Sequence, residues 1–223
     1  MKIGLVYTGV TKELIDLVES EVKKQVGTEC ELMSYKDPFI IKEVVDHNYV
    51  TSAPAARLVS MYMQSVQDGA DAILNICSSV GEVADASQDL AKYIGVPIVR
   101  IDEEMCREAV RKGKKIGVMA TLQSTLVPTK NTVYRVAREM NKQVELVDVL
   151  VEGGFGLDQE QFKQLMTKYA HDIADKVDVI LFAQGSMAYC EQYIADQCKK
   201  TVLSSPRFGA AALKEALVKK GLL

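Results

Sequence analysis

A chain that nearly repeats itself is confined to folds that can be built twice. Here Lys2-Ile3-Gly4 followed by Thr8 returns as Lys115-Ile116-Gly117 followed by Thr121, and Asp71-Ala72-Ile73-Leu74 returns as Asp178-Val179-Ile180-Leu181. Within each copy, apolar runs of strand length alternate with segments whose apolar residues recur at helical spacing. In the first half strands are expected near residues 2–8, 29–34, 71–77 and 97–101, with helices around Leu14, Leu17 and Val18, over 55–68 and over 83–93. The second half repeats the plan, with strands at 115–120, 144–150, 178–183 and 201–203, helices at 126–140, 158–175 and 187–197, and a closing helix at 208–220. Strands separated by helices of this length pair in parallel through right-handed crossovers. The expected fold is therefore α/β: two similar lobes related by a pseudo-twofold axis, each a mostly parallel four-stranded sheet flanked by helices, with a site in the cleft between them. The lobes are expected at 1–104 and 113–207, with the last helix, 208–223, packing back on the first.

Composition narrows the function. With 223 residues, 48% hydrophobic and 26% charged, the chain can bury a substantial core. Its 27 basic and 30 acidic residues give a net charge of -3 without a basic stripe, so no nucleic acid is expected as partner. No apolar run reaches membrane-spanning length, and the opening MKIGLVYTGV meets Lys12 and Glu13 too soon for a secretory signal, so a cytoplasmic protein with no membrane partner is expected. Five cysteines with no CxxC pair argue against disulfides and structural zinc, and two histidines exclude a multi-histidine metal centre. Gly153-Gly154-Phe155-Gly156 does not follow GxGxxG and no phosphate loop occurs, so nucleotide binding is not supported and no cofactor is expected.

Ligands of open α/β sheets bind beyond the carboxyl ends of the strands. The loops there are Tyr7-Thr8-Gly9, Cys77-Ser78-Ser79, Ala120-Thr121-Leu122 and Gln184-Gly185-Ser186, and the repeat sets Cys77 opposite Gln184 and Ser79 opposite Ser186. Thr8, Ser79, Thr121 and Ser186 would serve individually as N-caps; together, with Ser124 and Thr125 nearby, they suggest a small pocket for an anion such as a carboxylate. Cys77 stands where an apolar strand meets a polar turn, and a helix amino terminus there would lower its pKa and make the thiolate a base or nucleophile. Cys30, Cys106, Cys190 and Cys198 read as packing residues. The segment 35–52, with His47, shows no continuous periodicity and is expected to be a lid or binding loop, with His47 a surface histidine, while His171 reads as a solvated helix residue. Selectivity is expected to depend on 35–52 and on side chains such as Tyr7, Met187 and Arg207.

In the order and spacing of KIGLVYTG, LNICSSVGE, VMATLQST, LFAQGSMA and LSSPRFGAAAL, over nearly its whole length, the chain resembles the aspartate/glutamate/hydantoin racemase superfamily, with its relatives the maleate isomerases and arylmalonate decarboxylases. The resemblance implies a homodimer or higher homo-oligomer acting, without pyridoxal phosphate, on a small carboxylate or amino acid. It implies two cysteines, one per lobe, because inverting a carbon acid needs one group to remove the proton and another to return it from the far side. Cys77 matches the first, Ser78 and Ser79 the small polar residues that hold the carboxylate, and Thr8 and Thr121 the matching strand ends. The second cysteine is missing: Ala183 or Gln184 stands there. A lone thiol suits one-sided chemistry, namely decarboxylation, elimination or cis-trans isomerisation through a thioether, although the decarboxylases carry their working cysteine in the second lobe. A water oriented by Gln184 would restore racemisation. Loss of the second thiol would otherwise leave a carboxylate-binding protein.

Overall fold

A computed structural model of the chain describes residues 1–9, 11–154 and 157–223. These form two all-parallel four-stranded sheets. The first contains β1 (Lys2–Tyr7), β2 (Glu31–Lys36), β3 (Ala72–Ile76) and β4 (Ile98–Arg100) in the order β2-β1-β3-β4. The second contains β5 (Lys115–Ala120), β6 (Glu145–Leu150), β7 (Val179–Phe182) and β8 (Thr201–Leu203) in the corresponding order β6-β5-β7-β8. Every residue of β3 and of β7 is buried, as a parallel strand covered on both faces requires.

The helices are α1 (Lys12–Val26), α2 (Pro38–His47), α3 (Ser52–Gln67), α4 (Gly81–Ala86), α5 (Gln88–Ile94), α6 (Glu103–Lys112), α7 (Gln123–Glu139), α8 (Gln159–Ala174), α9 (Glu191–Cys198) and α10 (Ser205–Lys219). The chain divides into two compact units, Met1–Ile101 with Pro206–Leu223, and Asp102–Ser205. In the first, one face of the sheet packs Ile3, Leu5 and Tyr7 against Leu14 and Val18 of α1 and Leu213 and Leu217 of α10. The other face packs Val6 and Ile73 against Ile40 and Val44 of α2 and Leu58 and Tyr62 of α3. The second unit is built around Met119, Ile180 and Phe182, covered by Phe162, Met166 and Ala170 of α8 and Ile194 of α9.

The repeat carries two structural devices. Asp71 Oδ2 accepts a hydrogen bond from the Lys2 N–H at 2.9 Å, and Asp178 Oδ2 accepts from the N–H groups of Lys114 and Lys115 at 2.8 Å, so each copied aspartate ties the loop before its strand to the start of the central strand. Gly4 and Gly117 let a helix approach that strand: an added Cβ would lie 2.0 Å from Ser65 Oγ at the first and 2.6 Å from Ile173 Cδ1 at the second.

Three expectations are corrected. Segment 35–52 is not a long loop, because α2 occupies its centre. Asp37 caps it by accepting from the Phe39 N–H at 3.1 Å, Pro38 fills the first turn where a missing N–H costs nothing, and Asn48 ends it in the left-handed region at φ 60°. The helix expected over 83–93 is interrupted at Ser87, and a 3₁₀ turn, Ser78–Val80, precedes it; likewise a 3₁₀ segment, Gly185–Cys190, precedes α9. Helix α6 was not anticipated: Glu103, Glu104, Arg111 and Lys112 hide a buried stripe of Met105, Cys106, Ala109 and Val110. Of the glycine-rich string, Phe155 and Gly156 lie outside the described residues. Among the described residues no helix is long and apolar enough to cross a membrane.

Candidate active site

Each sheet ends in its own cluster of polar side chains. In the first unit, Ile76 pairs with Tyr7 at the carboxyl end of the sheet, and Cys77 follows in extended conformation (φ −163°, ψ 114°) before the 3₁₀ turn begins. Cys77 is the partly exposed cysteine; Cys30, Cys106, Cys190 and Cys198 are buried. Burial pushes the Cys77 thiol above its ordinary range, and the Thr8 hydroxyl, the Val80 and Ser79 N–H groups and the Ser79 hydroxyl oppose that rise without overcoming it. The expected lowering by a helix terminus is therefore corrected: a three-residue turn offers too little field to outweigh desolvation, and the thiol is neutral at rest near pH 7.

Thr8 is 1% exposed, and among the described residues neither its Oγ1 nor the Oγ of buried Ser78 has a hydrogen-bond partner, so what Thr8 offers the sulfur is electrostatic rather than a well-formed hydrogen bond. A buried polar atom left unpaired costs about 1–3 kcal/mol, which makes these two hydroxyls natural contacts for a polar ligand. Tyr7 is instead enclosed in the core between α1 and α10; burial and then Glu19 raise its pKa well above the ordinary value. It is not an exposed selector of substrate.

In the second unit β5 and β7 pair Met119 with Phe182, and one more step brings Ala183 level with Ala120. Gln184 therefore stands where Cys77 stands in the first sheet, and it too is extended (φ −116°, ψ 129°) and opens a 3₁₀ segment. Its Oε1 accepts from the Thr121 N–H at 2.7 Å and its Nε2 donates to Thr121 Oγ1 at 2.8 Å. The amide is thus fixed by the threonine that corresponds to Thr8, and carries no proton transferable at neutral pH. Ser186 is exposed, Ser124 and Thr125 are buried in the first turn of α7, and Met187 is buried in the core.

None of the four hydroxyl residues is an N-cap. That position belongs to Thr11 for α1, Leu122 for α7, Cys77 for the first 3₁₀ turn and Gln184 for the second. Cys190 ends the 3₁₀ segment instead of lying inside an α-helix, yet its Sγ donates to the Met187 carbonyl at 3.1 Å and burial pushes the thiol up to about 12. His47 is the exposed last residue of α2, with Nδ1 2.9 Å from the Glu43 carbonyl, and His171 is exposed on α8. Arg207 stacks over the Phe208 ring at 4.5 Å. Among the described residues no group of three or more His, Cys, Asp or Glu is placed to hold a metal ion. Asn75, a buried amide in the penultimate position of β3, gives no signal in the sequence beyond its polarity in an otherwise apolar run.

The family model for Asp/Glu/Hydantoin racemase matches residues 3–213. The chain belongs to the Asp/Glu/hydantoin racemase family. No curated protein sequence matches this family member significantly. Solved structures similar to it include a glutamate racemase of Bacillus anthracis, with a TM-score of 0.76 at 18% identity over 99% of this chain and 83% of that one. An allantoin racemase of Klebsiella pneumoniae gives 0.64 at 16% identity, covering 100% and 89%. A maleate isomerase of Pseudomonas putida gives 0.62 at 13%, covering 98% and 93%. The racemase-family fold is shared at these identities, and both four-stranded sheets belong to it.

Proposed function

We propose that the protein is a cofactor-independent, racemase-like isomerase that acts on a small carboxylate or amino acid by proton transfer at the α-carbon, with Cys77 as its single acting thiol. The observation that carries this reading is Cys77 itself: the partly exposed cysteine, at a strand end, with Thr8, Ser79 and two backbone N–H groups favouring its ionised form. Family membership supports the reaction class.

In this reading the thiolate takes the α-proton. The C–H bond breaks, an S–H bond forms, and the electron pair remains on the substrate as an enediolate. The hydroxyls of Thr8, Ser78 and Ser79 stabilise the developing oxyanion, and Thr121, Gln184 and Ser186 orient the remainder of the substrate. If the thiol trades that proton with solvent before protonating the same face, the outcome is hydrogen exchange with retention. Inversion needs a donor on the other face, and Gln184 contributes only a position for water. Because the thiol sits above its ordinary range, the active ionised fraction, and with it the rate, grows as pH rises.

The Gln184–Thr121 pairing favours a second reading, in which the protein runs one-sided chemistry such as decarboxylation, elimination or cis-trans isomerisation. The reading also takes the protein to be a cytoplasmic homodimer or higher homo-oligomer. Proton NMR in deuterated water tests the function, with wild type and Cys77→Ala incubated with small α-amino, α-hydroxy and dicarboxylic acids. The expected result is loss of an α-proton signal or a new product that disappears in the variant. Silence in wild type, with ligand-induced shifts in the protein spectrum, would instead identify a binding protein.

A further inference from the structure

Two residues before Cys77, the buried strand β3 carries Asn75, which is 1% exposed. Its Nδ2 donates to the Cys77 carbonyl at 3.1 Å, and its Oδ1 accepts from the Tyr62 hydroxyl of α3 at 2.9 Å, the latter bond being buried. The amide orientation follows from chemistry: a carbonyl only accepts, so the NH₂ group must face Cys77 O, leaving Oδ1 for the phenol. The bonded carbonyl belongs to the peptide joining Cys77 to Ser78, which launches the turn whose Ser79 and Val80 N–H groups favour the sulfur's ionised form.

The far end of that turn is pinned as well. Arg100, the partner of Asn75 across β3 and β4, lies so close to Gly81 that an added Cβ would meet its Nη2 at 2.2 Å. Its side chain is 2% exposed, and its Nη1 pairs with Asp85 Oδ2 at 2.6 Å. Burying such groups brings little net stability, since apolar residues of similar shape usually do as well. The molecule contains its own comparison. The register that matches Ile73 with Ile180 sets Phe182 where Asn75 stands, so the sheet whose central strand leads to Gln184 has an apolar residue at this position.

We propose that Asn75 and Tyr62 are positioning residues for Cys77, a buried relay that fixes the Cys77–Ser78 peptide and thereby aims the sulfur. The inference rests on the reading of Cys77 as the acting thiol.

The test compares Tyr62→Phe, Asn75→Leu and the double variant with wild type, all in the full chain. The measurements are thermal stability, the rate of Cys77 alkylation by iodoacetamide with Cys77→Ala as blank, and kcat and KM for deuterium exchange of whichever acid wild type turns over. A mispositioned reacting group costs up to about a hundredfold, so both single variants are expected to lose about ten- to a hundredfold in kcat with KM within about twofold. Their alkylation rates should change at least about threefold. In the double variant, removal of both buried partners should restore much of the lost stability and none of the kcat. Recovery of kcat together with stability would show a merely structural relay and overturn the proposal. So would unchanged kcat and alkylation in folded Tyr62→Phe, the variant that removes a single oxygen. If wild type turns over no acid, the reading of Cys77 fails separately, and the alkylation rates alone decide whether the relay controls the sulfur.

Discussion

The two sheets share strand order, the aspartate that ties the loop before β3 or β7 to the start of β1 or β5, and the glycine that admits a helix, but they differ where β3 and β7 end. One strand leads through Asn75 to Cys77, the other through Phe182 to Gln184. Duplication has kept the parts that make a sheet and changed those that would make a proton-transfer group. Thr8 and Thr121 illustrate the shift: among the described residues Thr8 has no hydrogen-bond partner for its hydroxyl and faces a thiol, whereas Thr121 is committed to an amide.

The largest effect that would break this contrast comes from deleting each group in turn. Cys77→Ala should lower α-proton exchange at least about a thousandfold, and Gln184→Ala only about tenfold, mainly in KM. Equal losses in kcat, measured by NMR in deuterated water, would mean that the second unit contributes chemistry as well as binding. Next in size, Gln184→Cys should sharpen the contrast by supplying the missing donor. Interconversion of enantiomers, followed by polarimetry or chiral chromatography, should rise about tenfold or more relative to exchange with retention.

A smaller effect concerns the thiols themselves. Since burial holds Cys77 above its ordinary range, its alkylation should still be accelerating at pH 9, and Cys190, pushed up to about 12, should stay unreactive in the folded protein. Ser79→Ala removes the hydroxyl that favours the thiolate and keeps the backbone N–H, so the Cys77 pKa should rise and alkylation at pH 8 should slow by about two- to fivefold. Unchanged rates would show that the Ser79 hydroxyl does not tune the sulfur.

The smallest effect tests what the units share. Two backbone N–H groups hold the Asp178 carboxylate below its ordinary pKa. Its stabilisation is present above the unfolded-state value of about 4 and is lost as pH falls through the lower folded value. The thermal midpoint of Asp178→Asn should thus lie slightly below wild type at pH 7 and converge with it in acid. Asp71→Asn should lower the midpoint at pH 7 by less, because the Asp71 carboxylate accepts from one backbone N–H where Asp178 accepts from two.

Much of this architecture was legible because parallel sheets advertise themselves as apolar runs with helices between, and a repeat shows each run twice. The two missed helices failed for local reasons. Pro38 in α2 reads as a breaker although it occupies the first turn, and in α6 charges mask the stripe of Met105, Cys106, Ala109 and Val110. At the candidate site, the correspondence of Cys77 with Gln184 followed from the repeat. The direction of the Cys77 pKa did not, because it depends on how much solvent the fold removes from the sulfur, a quantity that no local pattern encodes. Asn75 was hidden for the opposite reason: one amide in a strand of aliphatic residues looks like noise until the fold brings Tyr62 of α3 to meet it.

The most direct test of the difference between the two units follows deuterium and chirality together. An enantiopure acid that wild type turns over is incubated in deuterated water, and deuteration of the starting enantiomer is measured against appearance of its mirror image. With one thiol, deuterated starting enantiomer should accumulate ahead of the inverted product, and Gln184→Cys should reverse that order. Inversion that keeps pace with deuteration in wild type would contradict the account, because a second proton donor would then already be at work.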